Sequence, residues 1–130
     1  MKLKINDLMA FNTSYEKIKD EKMPISLAYQ LSQISKSVLE AFSFYQDKYN
    51  HYLSEYAETD ENGFKMNEQG NGIILKQEKL DEAHQKFKEL DNYEFPIDAK
   101  KIPLSTFEEL NLSPSDLIGL LPFIEEEEKK

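Results

Sequence analysis

Apolar residues keep helical spacing in this chain for an unusually long run. Leu27, Leu31, Ile34, Val38, Phe42, Tyr45, Tyr49, Tyr52 and Tyr56 recur at steps of 4, 3, 4, 4, 3, 4, 3 and 4. That is eight turns at about 3.6 residues each, the period of a straight α-helix, whereas a strict heptad of 3.5 would impose a left-handed supercoil. No Gly or Pro interrupts the run. The spacing predicts one long, nearly straight helix with a single buried stripe.

The stripe changes chemistry along its length. It is Leu, Ile and Val as far as Val38 and aromatic from Phe42, so that "FSFYQDKYNHYLSEY" (42–56) holds four of the seven tyrosines. Packing against a second helix accounts for five of its six rings. Tyrosine suits a boundary, because the ring buries while the hydroxyl reaches water or a partner. The far end of the helix is therefore expected to be half exposed, and tyrosine-rich surfaces of that kind favour protein contact. Phe44 lies off the stripe, as flanking core or as an exposed anchor.

The flanking elements follow from shorter patterns. "KLKI" (2–5) alternates as a short strand does. Leu8, Phe11, Tyr15 and Ile18 form one face of a first helix, capped by Asn6 or Asp7 and ended near "DEKMP". Pro24 suits the first turn of the long helix. "ETDENG" (58–63) breaks that helix, with Asn62-Gly63 as a turn signal. "FKMNEQGNGIIL" (64–75) reads as a β-hairpin in which Gly70 and Gly72 supply positive φ. From about Lys76 a second helix begins, with Leu80, Ala83 or His84, Phe87 and Leu90 on its stripe. It is expected to return antiparallel along the long helix. "NYEFPIDAKKIPL" (92–104) alternates at Tyr93, Phe95 and Ile97. Its prolines confine it to an edge, and pairing with Leu3–Ile5 is left open. "STFE" (105–108) and "SPSD" (113–116) are capping boxes that open two short helices. Leu117, Leu120, Leu121 and Ile124 form an apolar face on the second. The fold class is mainly α with minor β: a long antiparallel helical hairpin tipped by a β-hairpin, with a short N-terminal strand and helix and two short C-terminal helices. Residues 1–124 read as one domain and 125–130 as an acidic, flexible tail.

Composition narrows the function classes. The 130 residues are 39% hydrophobic and 32% charged, which predicts a thin core under much solvated surface. There is no cysteine, so disulfides and thiolate metal sites are excluded. No membrane-length apolar run occurs, and "MKLKINDLMAF" lacks a signal-peptide core, so a cytoplasmic protein is expected. The net charge is −9 and all sixteen basic residues are lysine. Without arginine's planar fork, and with negative charge repelling phosphates, direct nucleic-acid binding is not expected.

Candidate chemistry is sparse. His51 and His84 lie on the two long helices, where they come to comparable heights if those pair. HExxH, HxH and ExxH patterns are absent, and no metal is expected. "DENG" (60–63) lacks the spaced oxygen ligands and closing glutamate of a calcium loop. "GNG" (70–72) has no lysine-serine pair after it and is no phosphate loop. There is no nucleophile-elbow sequence. Neither a catalytic constellation nor a cofactor is expected.

The succession of "KMPISLAYQLSQISKSVLEAF", "ETDENG", a Gly-rich hairpin, "FPIDAKKIPLSTFEEL" and "LSPSDLIGLLPFIEE" resembles small proteins of unknown function encoded by phages and prophages of low-GC bacteria. The resemblance spans nearly the whole chain. It implies a phage setting, in the host cytoplasm, and brings no catalytic residues.

The expectation is a non-enzymatic protein-interaction module: a phage assembly or accessory factor, or an inhibitor of a host or defence protein. Its candidate surface is Phe44, Tyr49, Tyr52, Tyr56, Asp60 and Glu61, with the three tyrosines replaceable without unfolding. Two other readings stay open. One is an acidic mimic of nucleic acid that blocks a DNA-binding host protein. The other is a protein that sequesters a signalling nucleotide, held by lysines and helix N-termini.

Overall fold

Lys4 ends the extended start of the chain, and its backbone N–H donates to Asp7 Oδ2 at 3.2 Å. The carboxylate of the third helical residue thus satisfies an amide at the helix mouth. The computed structural model describes residues 1–70, 72–108 and 110–125. In chain order it contains β1 (Lys2–Leu3), α1 (Ile5–Ile18), α2 (Ile25–Tyr56), β2 (Thr59–Asp60), β3 (Gly63–Phe64), α3 (Leu80–Asn92), β4 (Phe95–Pro96), β5 (Ile102–Pro103), α4 (Pro114–Leu117) and β6 (Ile124–Glu125). Three short 3₁₀ turns cover Gln77–Lys79, Leu104–Phe107 and Leu121–Phe123. The fold is mainly α with minor β, as expected. No helix among the described residues is long and apolar enough to cross a membrane.

α2 is unbroken from Ile25 to Tyr56. Pro24 precedes it and accepts from the Ala28 N–H at 3.0 Å, so the proline supplies the first helical acceptor while its missing N–H costs nothing. Within the span read as one domain, two compact units form: residues 1–42 with 94 onward, and residues 43–93. α2 contributes to both.

In the first unit, Leu27, Leu31, Ile34 and Val38 of α2 are buried, as are Ile5, Leu8, Phe11 and Ile18 of α1. Each fully buried side chain of this size stabilises by about 1.5–3 kcal/mol. β1 pairs antiparallel with β4, with Leu3 opposite Phe95 and Lys2 opposite Pro96, and the Ile97 N–H extends the ladder to the Met1 carbonyl at 2.8 Å. The pairing that sequence left open therefore exists, shifted to residues 2–3 because α1 takes over at Ile5. β5 pairs parallel with β6. Glu125, placed in the acidic tail by sequence, lies opposite Pro103 in that pair, and residues 126–130 fall outside the described residues.

The C-terminal elements depart from expectation. Ser113 and Asp116 do form a capping box: the Asp116 N–H donates to Ser113 Oγ at 3.3 Å and the Ser113 N–H to Asp116 Oδ2 at 3.1 Å. But α4 stops after four residues, and Pro122 sits at the start of the next 3₁₀ turn. Helical spacing no longer applies there, so Leu120, Phe123 and Ile124 are buried while Leu121 is exposed. "STFE" forms a 3₁₀ turn opening at Leu104 rather than a helix capped by Ser105.

Gly119 explains how the last segment seats. Its N–H donates to the buried Ser14 Oγ at 3.0 Å. A methyl group on Gly119 would overlap the Ala10 carbonyl and come within 2.6 Å of Ser14 Oγ. Phe123 then meets Phe11 edge-on, with centroids 5.0 Å apart. Gly119→Ala is expected to destabilise the protein by about 3 kcal/mol, since a helix backbone cannot give way as a side chain can. A lower denaturant midpoint with an unchanged slope would show it.

Candidate functional site

The second unit is built on the aromatic half of α2. α3 returns antiparallel to it: Tyr45 reaches Asp91, Tyr49 and Tyr52 both meet Phe87, and Glu82 lies beside Tyr56. The turn between the helices is a small β junction. β2 pairs with β3 around Glu61-Asn62, where the Asn62 N–H donates to Asp60 Oδ1 at 2.8 Å and Gly63 takes a φ of 108°. The positive φ expected at Gly70 is present (71°), whereas the one expected at Gly72 falls at Gly63 instead. A second hairpin brings Met66 opposite Ile73, and Ala57 bridges to Leu75. Three backbone bonds of 2.8 Å close the junction in a ring, from Lys65 N–H to the Glu58 carbonyl, Glu58 N–H to Ile74, and Ile74 N–H to Lys65.

The second hairpin folds back over the helices. Met66, Gly72, Ile73 and Leu75 share an open groove of about 550 Å³ with Tyr45, Tyr49 and Leu53 of α2 and with Phe87 and Asp91 of α3. Its wall is aromatic. The Tyr45 and Tyr49 rings lie 6.0 Å apart and nearly parallel, and Phe87 is tilted against Tyr49 at 5.3 Å. Tyr52 closes the back of the wall, edge-on to Phe87 at 5.8 Å.

At one end, the Tyr45 hydroxyl donates to Asp91 Oδ1 at 2.8 Å. Partial burial first, and then this bond and the Asp91 charge, push the Tyr45 phenol up to about 12 from its ordinary 10.0. Asp91 is the charged side chain of the lining.

The candidate surface from sequence is divided by the structure. Tyr49 lines the groove and Tyr52 backs it. Phe44 is 48% exposed but lies beside Tyr93, with Lys48 Nζ 5.8 Å above its ring. Asp60 and Glu61 are exposed at the first β turn and belong to no part of the groove lining. Tyr56 corrects the expectation of a half-exposed helix end: it is 1% exposed, because the chain doubles back at Ala57 and covers it. Burial, with Glu55 and Glu82 nearby, raises its phenol pKa. His51 faces Glu55 at 3.9 Å, and both histidines are exposed, which assigns Ala83 rather than His84 to the buried face of α3.

Sequence reasoning placed Tyr45 and Phe87 on their stripes but did not name them, or Met66, Ile73 and Asp91, as site residues. The signal available was the facing of two aromatic stripes across a hairpin. What lay across them needed the strand register.

Tyr56→Ser is expected to cost about 3–5 kcal/mol by emptying a closed site, while Tyr49→Ser costs clearly less at its open one. Urea unfolding of the two variants checks the order. A second expectation concerns pH. The folded state holds the Tyr45 proton to higher pH than the unfolded chain does, so its contribution is complete below pH 10 and is lost as pH rises toward about 12. Melting temperature should therefore fall less between pH 9 and pH 11 in Tyr45→Phe than in the wild type.

Compared with known proteins, the chain matches no protein-family model, no curated protein and no solved structure.

Proposed function

We propose that this chain is a non-enzymatic protein-interaction module of the phage accessory or inhibitor type, acting in the host cytoplasm and engaging its partner through the aromatic groove of residues 43–93. The observation that carries the reading is the groove itself. Tyr45, Tyr49 and Phe87 form one wall and Met66 and Ile73 another, and both remain open to solvent at the side. Its volume is ample for side chains of a docking segment, and its aromatic and aliphatic walls with a carboxylate at one end offer them both apolar and polar contacts. Aromatic residues in such a setting dominate contact energies, because a rigid ring buries much area for little lost freedom.

Affinity capture from a host expressing the tagged chain tests this by comparison. Tyr49→Ser combined with Met66→Ser removes one residue from each wall. Ile25→Ser combined with Leu39→Ser removes two exposed apolar residues of the first unit. A protein captured by wild type and by the Ile25/Leu39 variant, and lost from a folded groove variant, supports the reading. Identical capture by all three overturns it. Circular dichroism establishes that each variant is folded.

A further inference from the structure

The groove carries a charge signature as well as a shape. Among the described residues its lining holds one carboxylate, Asp91, and no lysine. Asp91 makes no ion pair among the described residues, although Lys86 and Lys88 lie on the same helix. Residues 43–93 carry eleven carboxylates and six lysines, a net charge of −5. A carboxylate set at the end of an aromatic and aliphatic trough is complementary to an amphipathic cation. The Tyr45 and Tyr49 rings beside it are of the kind whose faces attract ammonium and guanidinium groups. α2 already displays such a contact outside the groove, where Lys48 lies over Phe44.

We propose that the occupant of the groove is a lysine or arginine side chain of a partner protein, set between apolar neighbours. Its aliphatic stem lies along Tyr49, its apolar neighbours occupy the Leu53 and Ile73 part of the groove, and its cationic head sits at Asp91 beside Tyr45. A long basic side chain matches both halves of the site, since its methylenes bury while the charge finds a carboxylate. This rests on the groove being the protein contact surface, and it names the chemistry of what enters.

The test is fluorescence anisotropy with the full chain and two labelled nine-residue peptides. One alternates leucine and arginine; the other carries glutamine in place of each arginine. Wild type is expected to bind the arginine peptide at least about tenfold more tightly, since a charge-assisted contact replaces a neutral one. Asp91→Asn should remove most of that preference. Glu78→Gln, which removes one exposed charge outside the lining, should leave it intact. Tyr49→Ser should weaken both peptides.

Equal binding of the two peptides by wild type, or binding of neither, overturns the cationic occupant. So does an equal loss in Asp91→Asn and Glu78→Gln, which would trace the attraction to net charge alone. The capture experiment separates this failure from that of the wider reading. A partner lost with Tyr49→Ser but retained with Asp91→Asn leaves the groove as a protein contact and removes the cation from it.

Discussion

A helix that buries one stripe for eight turns must find cover for that stripe along its whole length, and α2 finds two kinds. Up to Val38 the stripe is aliphatic and closed off, with Leu27, Leu31, Ile34 and Val38 each at most 2% exposed. From Tyr45 it is phenolic, and of its four tyrosines Tyr56 is buried while Tyr45, Tyr49 and Tyr52 are half-buried. The division follows from the side chains. An aliphatic group gains by complete removal from water, whereas a phenol that loses water must gain a hydrogen-bond partner. Tyr45 resolves the conflict by donating to Asp91 from a half-buried position.

That compromise is what leaves a groove. The rings of Tyr45, Tyr49 and Tyr52 stay half-buried, whereas the aliphatic side chains before them are closed over. The gap between α2 and α3 is instead bridged on one side by Met66 and Ile73, carried in by the second hairpin. The ring of backbone bonds through Glu58, Lys65 and Ile74 fixes where that hairpin lies. The groove therefore depends on a three-way junction of very short strands, and on Gly63 and Gly70 for the positive φ angles that their turns require.

Much of the fold was legible in the chain. The period of the α2 stripe, the absence of Gly and Pro within it, and Pro24 before it defined a helix of the observed extent. The Asn62-Gly63 and Gly70 signals located both turns of the junction. The Ser113 and Asp116 capping box formed as its residue types require. Three departures share one origin. Tyr56 was expected at a half-exposed end, Leu121 on an apolar face, and Ser105 at a helix cap. Each expectation extended local spacing past a point where the chain changes direction.

Periodicity is a property of neighbours in sequence, so the residues alone determined which side of α1 and α2 is apolar and where α2 must end. They determined the acidity and the lack of arginine. What covers a given face depends on contacts between residues far apart in the chain. The return of α3 sets Asp91 against Tyr45, the fold-back at Ala57 buries Tyr56, and the register of Met66 with Ile73 walls the groove. Only the tertiary structure decided these, because a face that must be buried does not specify which of several apolar segments will bury it.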